Sequence, residues 1–135
     1  MIFELNQRLR ADTFEVAVLD LSLLLLMNDK TVPWLILVPQ RQGIREMHHL
    51  DKNDLAMLAE EITLVSCLVE KVFVPDKINV ASLGNIVPQL HIHIVGRFKN
   101  DRAWPDPIWG AAGAESYDAK EAARLVERLK SELKT

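Results

Sequence analysis

Two histidines separated by one residue, His91 and His93, stand in an otherwise apolar run, Gln89-Leu90-His91-Ile92-His93-Ile94-Val95. Successive side chains of an extended strand point to opposite faces, so Leu90, Ile92 and Ile94 share one face and Gln89, His91 and His93 the other. Same-face neighbours lie about 7 Å apart along a strand, close enough for one bound group to touch more than one of them. Three chemistries are open. The row could be the solvated polar side of a half-exposed strand. It could give two nitrogens to a metal ion, which would need a third or fourth ligand from elsewhere. His48 and His49 are the only other histidines, beside Asp51 in a stretch that reads as a solvated loop. Or a neutral imidazole could attack phosphorus and form a covalent phosphoramidate that water later cleaves, a role suited to a group that titrates near neutrality. Such an attack needs a partner that fixes the tautomer of the nucleophile and donors for the phosphate oxygens. His93 could be one donor, and backbone N–H groups between Gly84 and the strand start could be others, Pro88 excepted.

To position that row the chain must supply a sheet and something to pack on it. Residues 14–19 and 21–27 read as strands, the second apolar on both faces and therefore central. Asn28-Asp29-Lys30-Thr31 has turn composition, and the run 34–38 between Pro33 and Pro39 is a further strand. The clearest helix is 51–72: Asp51 is a suitable N-cap, Asp54 sits in the first turn, and Leu55, Leu58, Ile62, Val65, Val69 and Val72 fall on one face before Pro75. Cys67, inside it, is expected to be buried or half-buried. Residues 78–83 and 90–97 read as two strands linked through the Gly84-Asn85 turn. Trp104 and Trp109 flank a Pro-rich loop, serving either as a lid or stacking surface near the site or as plain packing. Asp118 with Glu121 caps a last helix over 118–134, whose stripe is Ala122, Leu125, Val126, Leu129 and Leu133. A short helix over 5–10 completes the list. The expected architecture is α+β: an antiparallel sheet of about five strands, a long helix packed on it, and a C-terminal helix.

Composition narrows the function classes. The 135 residues fit a single domain over 1–135, and 49% apolar with 26% charged residues is ordinary globular composition. Sixteen Lys+Arg against 19 Asp+Glu, a formal charge of −3, removes the broad basic footprint of a nucleic-acid binder. One cysteine excludes an intramolecular disulfide framework. The greasiest stretch, 19–27, is too short to span a bilayer, and no signal-peptide core is visible. No membrane association is expected, and a cytoplasmic location is.

The run Gln89-Leu90-His91-Ile92-His93-Ile94-Val95, followed by Gly96-Arg97, resembles the signature of the histidine triad (HIT) family, His-φ-His-φ-His-φ-φ with φ apolar. Upstream, Val32-Pro33-Trp34-Leu35-Ile36-Leu37-Val38-Pro39 resembles that family's Pro-Gly-His-φ-φ-φ-φ-Pro strand, and Asn79 and Gly84-Asn85 resemble the hairpin leading into the triad. Trp104-Pro105 resembles a Trp-Pro near the end of some members. The likeness spans about 21–105, in the right order, and leaves the last helix outside. It implies a homodimer that hydrolyses or transfers nucleotides at the α-phosphate through a nucleotidyl-histidine intermediate, acting on nucleoside phosphoramidates or dinucleoside polyphosphates. The substrate would be a purine mononucleotide or dinucleotide. Carried over by position, His91 is the nucleophile, His93 contacts phosphoryl oxygens or the leaving group, Asn28 the ribose, and Asn85 lies beside the phosphate. No cofactor is required, although a divalent cation could accompany a polyphosphate. Two departures matter. Gln89 holds the first triad position and cannot carry a proton near pH 7. Trp34 stands where many members have a further His and offers a single N–H and a large ring. They leave open a nucleotide-binding module with weak or no catalysis.

Overall fold

The computed structural model describes residues 2–134. Five strands, β1 (Thr13–Val18), β2 (Ser22–Met27), β3 (Trp34–Pro39), β4 (Lys77–Ala81) and β5 (Ile92–Arg97), form one sheet in the order β1-β2-β3-β5-β4. Every neighbouring pair is antiparallel. Three helices accompany it: α1 (Gln7–Asp12), α2 (Lys52–Phe73) and α3 (Ala119–Leu133). This is the expected α+β architecture, and β2, apolar after Ser22, and the all-apolar β3 are buried central strands. Pro39 is the last residue of β3 rather than the first beyond it. Among the described residues no helix is long and apolar enough to cross a membrane.

The two faces of the sheet are covered differently. Leu24, Leu26, Leu35, Leu37, Ile92 and Ile94 meet Leu58, Val65 and Val69 of α2 and Leu129 of α3 in the larger core. Helix α2 starts where Asp51 accepts the Asp54 N–H at 2.8 Å and ends at Val74, in the left-handed region at φ 50°. The buried stripe is shifted from the one the spacing suggests. Leu68 joins Leu58, Val65 and Val69, whereas Leu55 is exposed. Glu61 also lies on this inner side, its carboxylate accepting the Leu21 N–H at 2.9 Å. Cys67 falls outside the stripe and is exposed, not buried. Gly96 lets α2 approach β5: a Cβ there would sit 3.0 Å from Pro33 Cγ and 3.2 Å from Val69 Cγ1. At α3 the Asp118 and Glu121 side chains reciprocally cap each other's backbone N–H.

The opposite face has no long helix. Leu23, Leu25, Trp34, Ile36, Val38 and Val95 are met by Leu9 of α1, by Val32, Val87 and Ile108 from loops, and by the partly buried Phe3, Leu5, Ala103 and Trp109. The loop after β5 is fastened by Arg97, only 2% exposed. Its guanidinium binds Asp101 at 2.8 and 3.1 Å, Asn79 at 2.9 Å and the Asp106 carbonyl at 2.8 Å. Asp101 also accepts the N–H groups of Phe98, Ala103 and Trp104. The Arg97 side chain, with these bonds, holds Asp101's carboxyl well below the usual carboxylate range, against the opposing effect of burial. Arg102 ties the same loop to the β2–β3 turn through Asp29 at 2.7 Å.

Candidate active site

The thinly covered face opens into a cleft of about 430 Å³, within the usual range for small-molecule sites. Its floor is Met27, Trp34, Ile36 and His93 from the sheet, and its walls are Arg8, Leu9 and Asp12 of α1, the loop Leu83-Gly84-Asn85-Ile86-Val87, and Trp109 with Gly110. His91 stands at the entrance to β5. Residues 89–91 lie outside the strand because the Leu90 N–H is bonded to the Ile44 carbonyl, in the loop after β3.

The two imidazoles are both buried, 5% exposed for His91 and 8% for His93, with ring centroids 4.8 Å apart. Their hydrogen bonds dictate opposite tautomers. His91 Nδ1 lies 2.7 Å from the Gln89 carbonyl oxygen. A carbonyl only accepts, so Nδ1 donates, and the neutral ring keeps a lone pair on Nε2. Trp34 Nε1 lies 3.0 Å from His93 Nδ1. An indole N–H only donates, so His93 Nδ1 is the acceptor and the ring's proton is on Nε2. One ring therefore offers a nucleophilic nitrogen and its neighbour an N–H.

Burial favours the neutral forms. It lowers the His91 pKa despite the opposing Gln89 bond. Burial first, and then the charge of His91, bring His93 down to about 4. Both rings are thus neutral near pH 7. Trp109 closes the wall edge-on to His93, centroids 5.5 Å apart, and to Trp34 at 6.1 Å. Its buried indole N–H has no partner among the described residues. Arg8 and Asp12, 3.6 Å apart, are the charged groups on the cleft. The arrangement can do in-line attack on an electrophile by His91 Nε2, with N–H stabilisation of developing negative charge from His93.

A model of the HIT domain matches residues 8–100. The chain belongs to the histidine triad family. Among solved structures it is similar to a histidine triad protein from Bradyrhizobium japonicum, at 39% identity and TM-score 0.95 over 98% of this chain and 99% of that one. A histidine triad protein from Marinobacter aquaeolei is 41% identical, TM-score 0.95, over 99% and 98%. One from Sinorhizobium meliloti is 42% identical, TM-score 0.93, over 96% of each chain. These alignments extend well beyond 21–105, the span of the sequence resemblance. No curated protein matches the chain.

Within this histidine triad fold, His91, His93, Trp34 and Asn85 line one cleft. Three other candidates have their side chains elsewhere. Gln89 does not share the face of His91 and His93, because strand alternation does not reach a residue outside the paired strand. Its Oε1 accepts the Asn6 N–H and its Nε2 donates to the Glu4 carbonyl, both at 2.8 Å. It pins the segment before α1, and only its backbone carbonyl serves His91. Asn28 Oδ1 accepts the Tyr117 N–H at 2.9 Å and so anchors the segment before α3. Asn79 is bonded to Arg97. His48 and His49 lie exposed on a short turn, with His49 Nδ1 facing the backbone N–H groups of Arg45 and Glu46 at 3.4 and 3.3 Å. Among the described residues no group of three or more His, Cys, Asp or Glu is gathered to hold a metal ion. Sequence reasoning missed Arg8 and Asp12, whose only local signal is their i,i+4 charge pairing. Trp109 lines the cleft, whereas Trp104 stacks on the Arg97 guanidinium, 5.9 Å from its ring centroid.

Proposed function

We propose that this histidine triad protein is a nucleotide hydrolase or transferase acting at the α-phosphate, with substrates among dinucleoside polyphosphates and nucleoside phosphoramidates. The observation that carries the reading is the 2.7 Å contact between His91 Nδ1 and the Gln89 carbonyl, which leaves Nε2 as a lone pair beside the cleft. His91 attacks phosphorus and becomes nucleotidylated, and water or another acceptor then takes the nucleotide. His93 donates its Nε2–H to phosphoryl or leaving-group oxygen. Asn85, exposed at the rim, is a contact for the phosphates, and the Trp34 and Trp109 rings offer apolar surface to a base. A purine suits that surface by its area. A divalent cation accompanying a polyphosphate would arrive with the substrate. The proposal includes a cytoplasmic homodimer. Exposed Val80, on edge strand β4, with Leu83 and Ile86 beyond it, supplies apolar surface for association, to be tested by sedimentation.

A second reading, a nucleotide-binding module with weak or no catalysis, is favoured by the Gln89 side chain being committed to the segment before α1. Both readings expect nucleotides to raise the melting temperature by mass action. Turnover separates them. The hydrolase reading expects the wild type to cleave and His91→Ala to retain the thermal shift while losing cleavage. A thermal shift with no cleavage by the wild type would favour the binding module.

A further inference from the structure

We propose that Trp34 is a positioning residue that holds His93 as a permanent hydrogen-bond donor, and that the cleft consequently prefers α-phosphates bearing an oxygen leaving group to nucleoside phosphoramidates. The inference rests on His91 being the nucleophile.

Trp34 is 6% exposed and pairs with Val95 of β5 across the sheet. Its indole N–H points at His93 Nδ1 at 3.0 Å. To become an imidazolium, His93 would need a second proton on Nδ1, where two donors would face each other inside an apolar wall. Indole neither accepts that proton nor relays one. Burial, and then the charge of His91, lower the His93 pKa to about 4 in addition. Elsewhere on the cleft, the titratable and charged groups are His91, Asp12 and Arg8. His91 has its only proton on the Gln89 carbonyl, and Asp12 is an acceptor beside Arg8. Trp109 contributes another indole N–H. Arg8, a guanidinium, does not give up its protons, so none of these groups supplies one to a departing amine.

With an oxygen leaving group, none is needed. The Nε2 lone pair of His91 forms the N–P bond while the P–O bond breaks, and the electron pair departs on a phosphate or polyphosphate oxygen that is a weak base. The His93 N–H stabilises that charge without giving up its proton. The His91 ring, nucleotidylated on Nε2 and protonated on Nδ1, is a cation held by the Gln89 carbonyl. Water then forms a P–O bond as the N–P bond breaks, the pair returns to Nε2, and the proton from water passes to solvent. An amine leaving group must gain a proton to depart. His93 could supply one only by becoming imidazolate, and Trp34 could not replace it. The proton must come from solvent, which slows the step.

The test compares a dinucleoside triphosphate with the 5′-phosphoramidate of the same nucleoside. The expected kcat/KM ratio favours the triphosphate by at least about 100-fold, the lower end of what a general acid contributes. Trp34→His, which supplies a ring able to carry a proton, should raise the phosphoramidate-to-triphosphate kcat/KM ratio by about tenfold or more. Nitrogen-15 spectra of histidine-labelled wild type should place the His93 proton on Nε2, and Trp34→Phe should raise the pH at which His93 titrates. Equal turnover of the two substrates, or a wild-type His93 proton on Nδ1, would overturn the proposal whether or not the variants fold. Retention of both activities by His91→Ala would instead overturn the nucleophile assignment beneath it.

Discussion

His93 and Arg97 project from the same face of β5, roughly 13 Å apart at strand rise, and both are buried. At Arg97 all three guanidinium nitrogens are bonded, to Asp101, Asn79 and the Asp106 carbonyl. At the other end His91 and His93 each satisfy one ring nitrogen within the protein, through Gln89 and Trp34, and line the cleft. A buried polar group with every nitrogen bonded inside the chain specifies the fold. One with half its nitrogens bonded, beside a cavity, is prepared for something the chain does not contain. The first cluster also serves the second, because the loop fastened by Arg97 brings Trp109 against His93.

The contrast breaks most visibly at His91. His91→Ala should lower kcat by about four orders of magnitude or more, as loss of a nucleophile does, yet cost no more than about 2 kcal/mol of stability. Steady-state kinetics beside a denaturant titration would check both. Arg97→Ala should do the reverse in kind. Stripping one partner from a buried ion pair typically costs about 3–5 kcal/mol, read as a lower denaturant midpoint, with kcat falling through disordering of Trp109 rather than loss of chemistry. Replacing Arg97 and Asp101 together by apolar residues of similar volume should recover part of that stability.

Acid separates the two ends by pH window. His93 has its pKa lowered to about 4 in the folded state, whereas an unfolded imidazole titrates near 6.5. Between those values the unfolded chain binds more protons, so stability falls as pH drops, by roughly 3 kcal/mol from this ring. The lowered His91 pKa acts in the same direction. Asp101 is depressed below the carboxylate range, so its contribution is fully present above about pH 4 and is lost below it. Denaturant midpoints measured from pH 7 to 3 should therefore decline first through the imidazole window and then through the carboxylate window. His93→Gln should remove much of the first decline and leave the second.

The smallest effect is expected at Gln89. Gln89→Ala keeps the backbone carbonyl that holds His91, so kcat should change by less than about tenfold. Loss of its two bonds to the segment before α1 should cost about 1–3 kcal/mol. A loss of activity approaching that of His91→Ala would place the Gln89 side chain in the chemistry after all.

Much of this was legible in the sequence where local rules decide. The apolar runs of β2 and β3, the Asp51 cap and the Asp118/Glu121 capping pair each depend on near neighbours, and each is where the spacing put it. His93 was legible because alternation sets it opposite Ile92 and Ile94 on β5, and His91, outside the strand, still reaches the same cleft. Gln89 was not, because the Leu90 bond to Ile44 ends the alternation two residues early, and that bond joins distant parts of the chain. Asn28 and Asn79 turned to Tyr117 and Arg97 for the same kind of reason. The shifted stripe of α2 follows from how the helix lies across the sheet, which its own periodicity does not report. Arg8 and Asp12 reach the cleft only because α1 folds back onto the site, an event visible in the Gln89–Asn6 bond and in no local motif.

The central claim is that His91 Nε2 attacks phosphorus. Mixing the protein with a dinucleoside polyphosphate, quenching in alkali within milliseconds and mapping the peptides by mass spectrometry tests it most directly. The account predicts a nucleotide mass on the peptide carrying His91, stable in base and lost in acid. Undiminished turnover with no adduct, or an adduct at His48, His49 or His93 instead, would contradict it.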